Sequence, residues 1–301
     1  MKVGVIGLGA IAQKAYLPLL AARGDLDIVL ATRNSQTLDQ ISRQYRIPQT
    51  VGSVDELVRT GIQAAFVHVA TEGHFLTVQR LLESGIHVYV DKPLAYSLKE
   101  ARDLVDLAAR RQRLLMVGFN RRFAPFYNQL YAVPNKSLVF MQKNRVNPPE
   151  TIRTFIFDDF IHVVDTLRFL SPGTPQDIHV TGHKKDGLLE QAIVEWSCLR
   201  FTAIGVMNRD SGQTEEKLEV IASGNKWQVN DLGESIHCCN GEEKRIRSGD
   251  WEPILFRRGF TQIIDYFLNA IVKGLPSSPT AEDSLLTHEL CEQIVQELDA
   301  M

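Results

Sequence analysis

Near its start the chain reads Val3-Gly4-Val5-Ile6-Gly7-Leu8-Gly9-Ala10-Ile11-Ala12, an apolar run broken by a Gly-x-Gly-x-x-Ala pattern that passes into helical sequence. Few patterns restrict a fold so closely, because a strand, a tight turn and a helix lying hard against the strand are all required at once. Gly7 permits the turn, Gly9 lets the backbone approach a pyrophosphate, and the small Ala12 allows close helix–sheet packing. Unpaired amides at the helix start, around Ala10 and Ile11, offer hydrogen bonds and a favourable dipole to phosphate oxygens. The same pattern also fits a tight strand-to-helix turn without a ligand.

The first 118 residues alternate short β-rich runs with longer helical patterns, which predicts a doubly wound parallel sheet of the Rossmann type. Strands are expected near residues 2–7, 27–32, 64–69, 86–90 and 114–118. A helix is expected over Ser97–Arg111, where Leu98, Ala101, Leu104, Val105 and Ala108 recur at helical spacing and Ser97 with Glu100 forms a capping box. From residue 119 the rhythm changes. The runs AIVEWS, RFTAIGVM, KLEVIAS and KWQVND follow one another across short turns, Ser223-Gly224-Asn225 among them, as in an antiparallel sheet. Helical pattern returns at Arg257–Val272 and Ala281–Leu298. The expected organisation is therefore an α/β dinucleotide-binding domain over 1–118 and an α+β domain over 119–301, its open-faced sheet carrying helices on one side.

A dinucleotide site commonly has a carboxylate at the end of its second strand to bind the ribose hydroxyls. Here that strand, DIVLAT, runs into Arg33, Asn34 and Ser35. A guanidinium followed by small polar groups suits a 2′-phosphate, so NADP(H) is favoured, with NAD(H) as the other choice. A solvated surface arginine would look the same. The fourth strand, HVYV, ends in Asp91-Lys92-Pro93. Proline holds Lys92 extended at the sheet edge where ligands of open α/β sheets sit. Further on, FDDFIHVVD sets Asp158, His162 and Asp165 on one helical face, and a carboxylate four residues from an imidazole can orient the ring and favour its protonated form. Taken alone, such a pair equally fits a solvated surface.

These motifs, with ATEGH, DKPLA, GFNRRFAP and GFTQIIDYFLNAIVKG, run in order through nearly the whole chain, which resembles the Gfo/Idh/MocA family of oxidoreductases and within it the bacterial MviM/YceM-like branch. The resemblance implies that Lys92 is catalytic and that Asp158 and His162 are the family's Asp-x-x-x-His pair. On it, His162 handles the proton of a substrate hydroxyl while hydride moves to or from nicotinamide. It further implies that Thr71 and His74 lie in a loop beside the cofactor and that Asn120 and Arg122 form a junction segment. Asp91 replaces the usual Glu and would face the nicotinamide ribose. Phe160 stands where many members have Gly, which would narrow the pocket, and Asp159 adds a carboxylate without an assigned role. The expected reaction is hydride exchange with a small sugar-like or polyol-like alcohol/carbonyl pair. A non-catalytic dinucleotide-binding regulator, or a lyase or epimerase with retained cofactor, is the alternative. A homodimer or higher homo-oligomer is implied.

Bulk properties agree with this and exclude other classes. Hydrophobic residues at 44% and charged residues at 23% are globular values, and a net charge of -3 argues against a nucleic-acid footprint. Cys198, Cys238, Cys239 and Cys291 include no CxxC pair and no zinc spacing, so no metal is expected. Reduced thiols in a cytoplasm fit better than disulfides, and the glycine-broken N-terminus resembles neither a signal sequence nor a membrane span.

Overall fold

Short runs rich in Val, Ile and Ala, buried on both faces, form the first sheet: β1 (Lys2–Ile6), β2 (Asp27–Ala31), β3 (Gln49–Val51), β4 (Ala64–Val67), β5 (His87–Val90) and β6 (Leu115–Val117). All are parallel in the order β3-β2-β1-β4-β5-β6, so the chain reverses its direction of travel across the sheet between β1 and β4. Helices cover both faces, as burial of every residue of β4 requires. Among them Leu98–Arg111 begins as the sequence predicts, with Ser97 Oγ accepting from the Glu100 amide at 3.4 Å. β3 was not among the expected strands. Its three residues, QTV, lie at the sheet edge, half-buried or exposed, and carry no periodic signal.

The computed structural model describes residues 1–301, which divide into two units, and the division differs from a single cut at 118. The first unit is Met1–Gly118 together with Ile263–Leu286; the second is Phe119–Gln262 with Thr287–Met301. Residues 263–286 leave the expected second domain because the helix Phe260–Lys273 puts Phe267 edge-on to Phe66 and Tyr89, at 5.4 and 5.7 Å between ring centroids. Arg23 also pairs with Asp265.

In the second unit eight strands form one sheet: β7 (Lys136–Val146), β8 (Gln176–Lys185), β9 (Leu188–Cys198), β10 (Phe201–Asn208), β11 (Asp210–Ala222), β12 (Asn225–Asn230), β13 (Glu234–Cys239) and β14 (Glu242–Arg247). The order is β14-β13-β12-β11-β7-β10-β9-β8, antiparallel throughout except for β7 beside β10. Along β10, Phe201, Ala203 and Met207 are buried while Thr202, Ile204 and Val206 are half-buried, the alternation of a sheet with one covered face. The helix Ile161–Leu170 lies on that face. Gly205 makes room for it: a Cβ there would stand 2.6 Å from Val163 and 2.9 Å from Leu167. No helix is long and apolar enough to cross a membrane.

Candidate functional site

In the first unit, β1 delivers the chain to Gly7, whose φ is +85° and whose amide donates to the Ala31 carbonyl at 3.0 Å. A Cβ at this position would fall 2.4 Å from the Val69 nitrogen, so only glycine fits. Helical structure starts at Ala10, with the Gln13 amide bonded to the Gly9 carbonyl at 3.1 Å. Earlier amides, those of Ala10, Ile11 and Ala12, have no place in the helical ladder. Gly9, Ala10 and Ile11 are exposed, Ala12 is fully buried, and a Cβ on Gly9 would meet nothing within 4 Å. The open approach that a side chain would fill, facing a helix N-terminus, fits the pyrophosphate of a dinucleotide.

At the end of β2, Arg33, Asn34 and Ser35 are all exposed. Asn34 caps the helix Ser35–Tyr45, its Oδ1 accepting from the Thr37 amide at 3.0 Å, which leaves its amide group as the part able to meet a phosphate. Thr71 opens a short 3-10 turn and is half-exposed. His74 differs from expectation. It is buried, and its ring nitrogens face the Pro93 carbonyl at 2.8 Å and the Val69 carbonyl at 3.0 Å. Burial favours the neutral ring, whose single N–H donates to one of these carbonyls, and in this position His74 lies between the loop after β4 and the Asp91-Lys92-Pro93 segment.

Lys92 follows β5 and is half-buried, at the same, C-terminal, edge of the sheet as the Gly7 turn. Beneath it lies a group that sequence reading missed. The Tyr16 hydroxyl donates to Asp91 Oδ1 at 3.2 Å and stands 3.0 Å from the Tyr89 hydroxyl, which can therefore donate to Tyr16. Burial raises the Asp91 pKa, while the Lys92 charge and His74 draw it down. Burial also keeps both tyrosines well in their neutral phenol form. Gly118 leaves room for this arrangement, since a Cβ there would lie 2.8 Å from the Tyr89 hydroxyl and 3.2 Å from Asp91. The His68 ring stacks on Tyr16 at 3.9 Å, and neither of its nitrogens has a hydrogen-bond partner. Burial, with His74 nearby, drops its pKa to about 3, so the ring is neutral. Tyr16 reaches these partners from a π-helical turn, Ala12–Tyr16, a feature that recurs at functional sites and that no periodicity announces.

In the second unit a π-helical segment, Phe155–Phe160, runs directly into the helix Ile161–Leu170. Asp158 and His162 straddle that junction and are half-buried among neighbours that are fully buried. Phe160 is one of these, packed beside Phe155 in the core, and so does not narrow a pocket as its substitution for glycine suggested. Asp165 does not extend the pair either. It accepts from Arg122 at 2.6 and 2.9 Å and from Thr287 at 3.0 Å, a buried structural ion pair. Asn120, expected at the cofactor, is buried with its amide donating to the Arg258 carbonyl at 2.8 Å. Its neighbour Arg121 grips Glu216 with two nitrogens, at 2.9 and 2.8 Å. Asn120, Arg121 and Arg122 thus bond within the second unit, which makes the segment a clamp between loop, sheet and helix.

Asp159 acquires surroundings that the sequence left unassigned. Lys143, Arg145 and Arg209 approach its carboxylate at 3.5, 3.3 and 3.5 Å.

Residues 1–119 match the family model described as oxidoreductase family, NAD-binding Rossmann fold, and residues 125–238 match that of the YceM-like C-terminal domain. YceM of Salmonella typhimurium, an oxidoreductase by name, is 32% identical over 98% of this chain and 97% of its own. The crystal structure of the dehydrogenase MviM from Clostridium difficile is 31% identical, with 99% of both chains covered and a TM-score of 0.94. Myo-inositol dehydrogenase Hyg17 of Streptomyces leeuwenhoekii is 30% identical over 57% of this chain and 56% of its own.

Proposed function

The chain belongs to the Gfo/Idh/MocA family of NAD-binding oxidoreductases, and from that premise we propose that it exchanges hydride between NADP(H) and a sugar-like or polyol-like alcohol/carbonyl pair. One observation carries this reading: the glycine turn after β1 and Lys92 after β5 stand at one edge of one parallel sheet, two strands apart. Dinucleotide and reacting oxygen would then be served from the same edge. Preference for NADP(H) rests on exposed Arg33 at a strand end that has no carboxylate.

The nicotinamide supplies hydride chemistry. Gly9, Ala10 and Ile11 would hold the pyrophosphate, with Arg33 and Ser35 at the 2′-phosphate and Thr71 beside the dinucleotide. Lys92 would hold and polarise the substrate oxygen by its ammonium, with Asp91 kept in place by Tyr16 and His74. His162 would take the hydroxyl proton during oxidation and return it during reduction, and Asp158 would orient the ring and stabilise its charged form. The half-buried Ile193, Ile204 and Val206 on the other face of the second sheet would be covered by a second copy of the chain. We read the four free cysteines as those of a cytoplasmic protein.

The test is turnover of a sugar and polyol panel with NADP(H) and NAD(H), followed by nicotinamide absorbance. Lys92→Met and His162→Ala are each expected to lower kcat by roughly 10²- to 10⁴-fold with dinucleotide affinity retained. Unchanged kcat in either variant would remove that residue from the chemistry. Turnover of substrate without net change in absorbance would point instead to transient oxidation with retained cofactor.

A further inference from the structure

The helix-covered face of the second sheet changes character toward one end, and it does so in three adjacent strands together. On β7, Val139 and Met141 are followed at alternate positions by Lys143 and Arg145. On β11, Val220 and Leu218 are followed by Glu216, which pairs directly with Lys143 in the sheet register. On β10, Ala203, Gly205 and Met207 are followed by Arg209 just beyond the strand. Period-two alternation puts all these residues on one face, so an apolar floor gives way to a charged one.

Four cations, Arg121, Lys143, Arg145 and Arg209, meet there with two carboxylates, Glu216 and Asp159. Glu216 is committed to Arg121 by bonds of 2.8 to 3.1 Å and to the Tyr127 hydroxyl at 3.2 Å. Lys143, Arg145 and Arg209 are left to share Asp159, all at 3.3 Å or more, well beyond the usual 2.7–2.9 Å of a charge-assisted bond. The Nε of Arg209 has no partner at all, and the residue is 9% exposed. Burial draws Lys143 toward its neutral form, so the shortfall lies at the two arginines, which reach Asp159 only at 3.3 and 3.5 Å. Buried cations without full compensation are costly unless an anion completes them. The Arg145 side chain keeps 31% of its exposure, so the cluster is open to a ligand there, and Asp159, which it surrounds, lies three residues before His162.

We infer that the substrate carries an anionic group, a carboxylate or a phosphate ester, which Arg145 and Arg209 bind with Lys143 beneath them. The inference takes from the proposed reaction only that the ligand is a substrate; its charge follows from the cluster. Asp159 holds the cations in position and competes with the ligand for them. It is a specificity-setting residue that acts through those cations.

With the protein saturated in NADP+, calorimetry at constant ionic strength would compare D-glucose and myo-inositol with D-gluconate and D-glucose 6-phosphate, while nicotinamide absorbance is followed separately. One of the anionic probes is expected to bind tighter than both neutral ones by roughly tenfold or more, and which one separates carboxylate from phosphate. Arg145→Gln and Arg209→Gln should shrink the anionic-to-neutral ratio by a similar factor. Asp159→Asn should raise it, an opposite effect that a purely structural role would not produce. Equal affinity for neutral and anionic probes, no binding of either anionic probe, or a lowered ratio in Asp159→Asn overturns the inference. Turnover of a neutral polyol in that case leaves the proposed reaction standing, whereas anion binding without any absorbance change upholds the inference and counts against the reaction.

Discussion

Arg33 is exposed at the end of β2, one residue before the cap of the helix Ser35–Tyr45, where a carboxylate would repel a phosphate and a guanidinium attracts one. Arg33→Ala is expected to weaken NADP(H) by about 1.5 to 3 kcal/mol, the range of a charged hydrogen bond, and NAD(H) much less. Calorimetry with both cofactors checks this, and an equal loss for both would show that Arg33 is not the discriminator. Lys143 gives a second expectation at this scale. Burial and the charge of Arg121 lower its pKa from 10.5 to about 7, with Glu216 on β11 and Asp159 on the π-helical segment opposing and Arg145 on its own strand reinforcing the fall. Between those values the unfolded chain binds a proton that the folded chain does not. Stability should therefore rise with pH across that window. Lys143→Met should flatten the rise, as read from urea midpoints at several pH values between the two limits. A slope unchanged by the substitution would mean that another group titrates there.

Among elements, the helix Ile161–Leu170 owes its seat to a glycine in another strand. Gly205 has no side chain exactly where Val163 and Leu167 come down on β10, so Gly205→Val overpacks the contact. A cost of about 1 to 3 kcal/mol is expected. Because the same helix carries His162, kcat should fall more than dinucleotide affinity. Thermal unfolding and steady-state kinetics on Gly205→Ala and Gly205→Val check the grading, and a valine variant with unaltered stability would contradict the packing described. Both π-helical turns carry candidate site side chains, Tyr16 in Ala12–Tyr16 and Asp158 in Phe155–Phe160. Asp165, one turn beyond His162 in the regular α-helix, is set apart from Asp158 and His162 by its partners Arg122 and Thr287, which lie far away in sequence.

For the molecule as a whole, the first unit is discontinuous in sequence. Phe66 and Tyr89, fully buried, face Phe267 from the returning segment. A fragment ending at Gly118 would leave these rings uncovered, and Phe267→Ala in the full chain should cost about 3 to 5 kcal/mol. Denaturant unfolding of the variant, and solubility of fragment 1–118 with and without a peptide spanning 263–286, measure the contribution. A fragment as stable alone as with the peptide would show that the returning segment is dispensable.

What the sequence determined by itself was local. Gly7 and Gly9 after an apolar run, Ser97 before Glu100, and the change from helical to two-residue periodicity near residue 119 all act through neighbours a few residues apart, so their geometry follows from short-range sterics and hydrogen bonding. A parallel first sheet and a second, mostly antiparallel one followed from that, while β3, at the edge of the first, left no such local signal. Tertiary structure alone decided which polar side chains remain available. His74 and Asn120 looked like site residues but face the backbone of Pro93 and Val69 and of Arg258, and Asp165, read on one helical face with His162, is taken by Arg122. Tyr16, Lys143 and Arg209 carried no motif, yet lie against Asp91 and Asp159. The partners of Asn120 and Arg121 are 138 and 95 residues away along the chain. A polar group takes its function from what stands within 3 or 4 Å of it, and over such separations only the packed fold sets that distance.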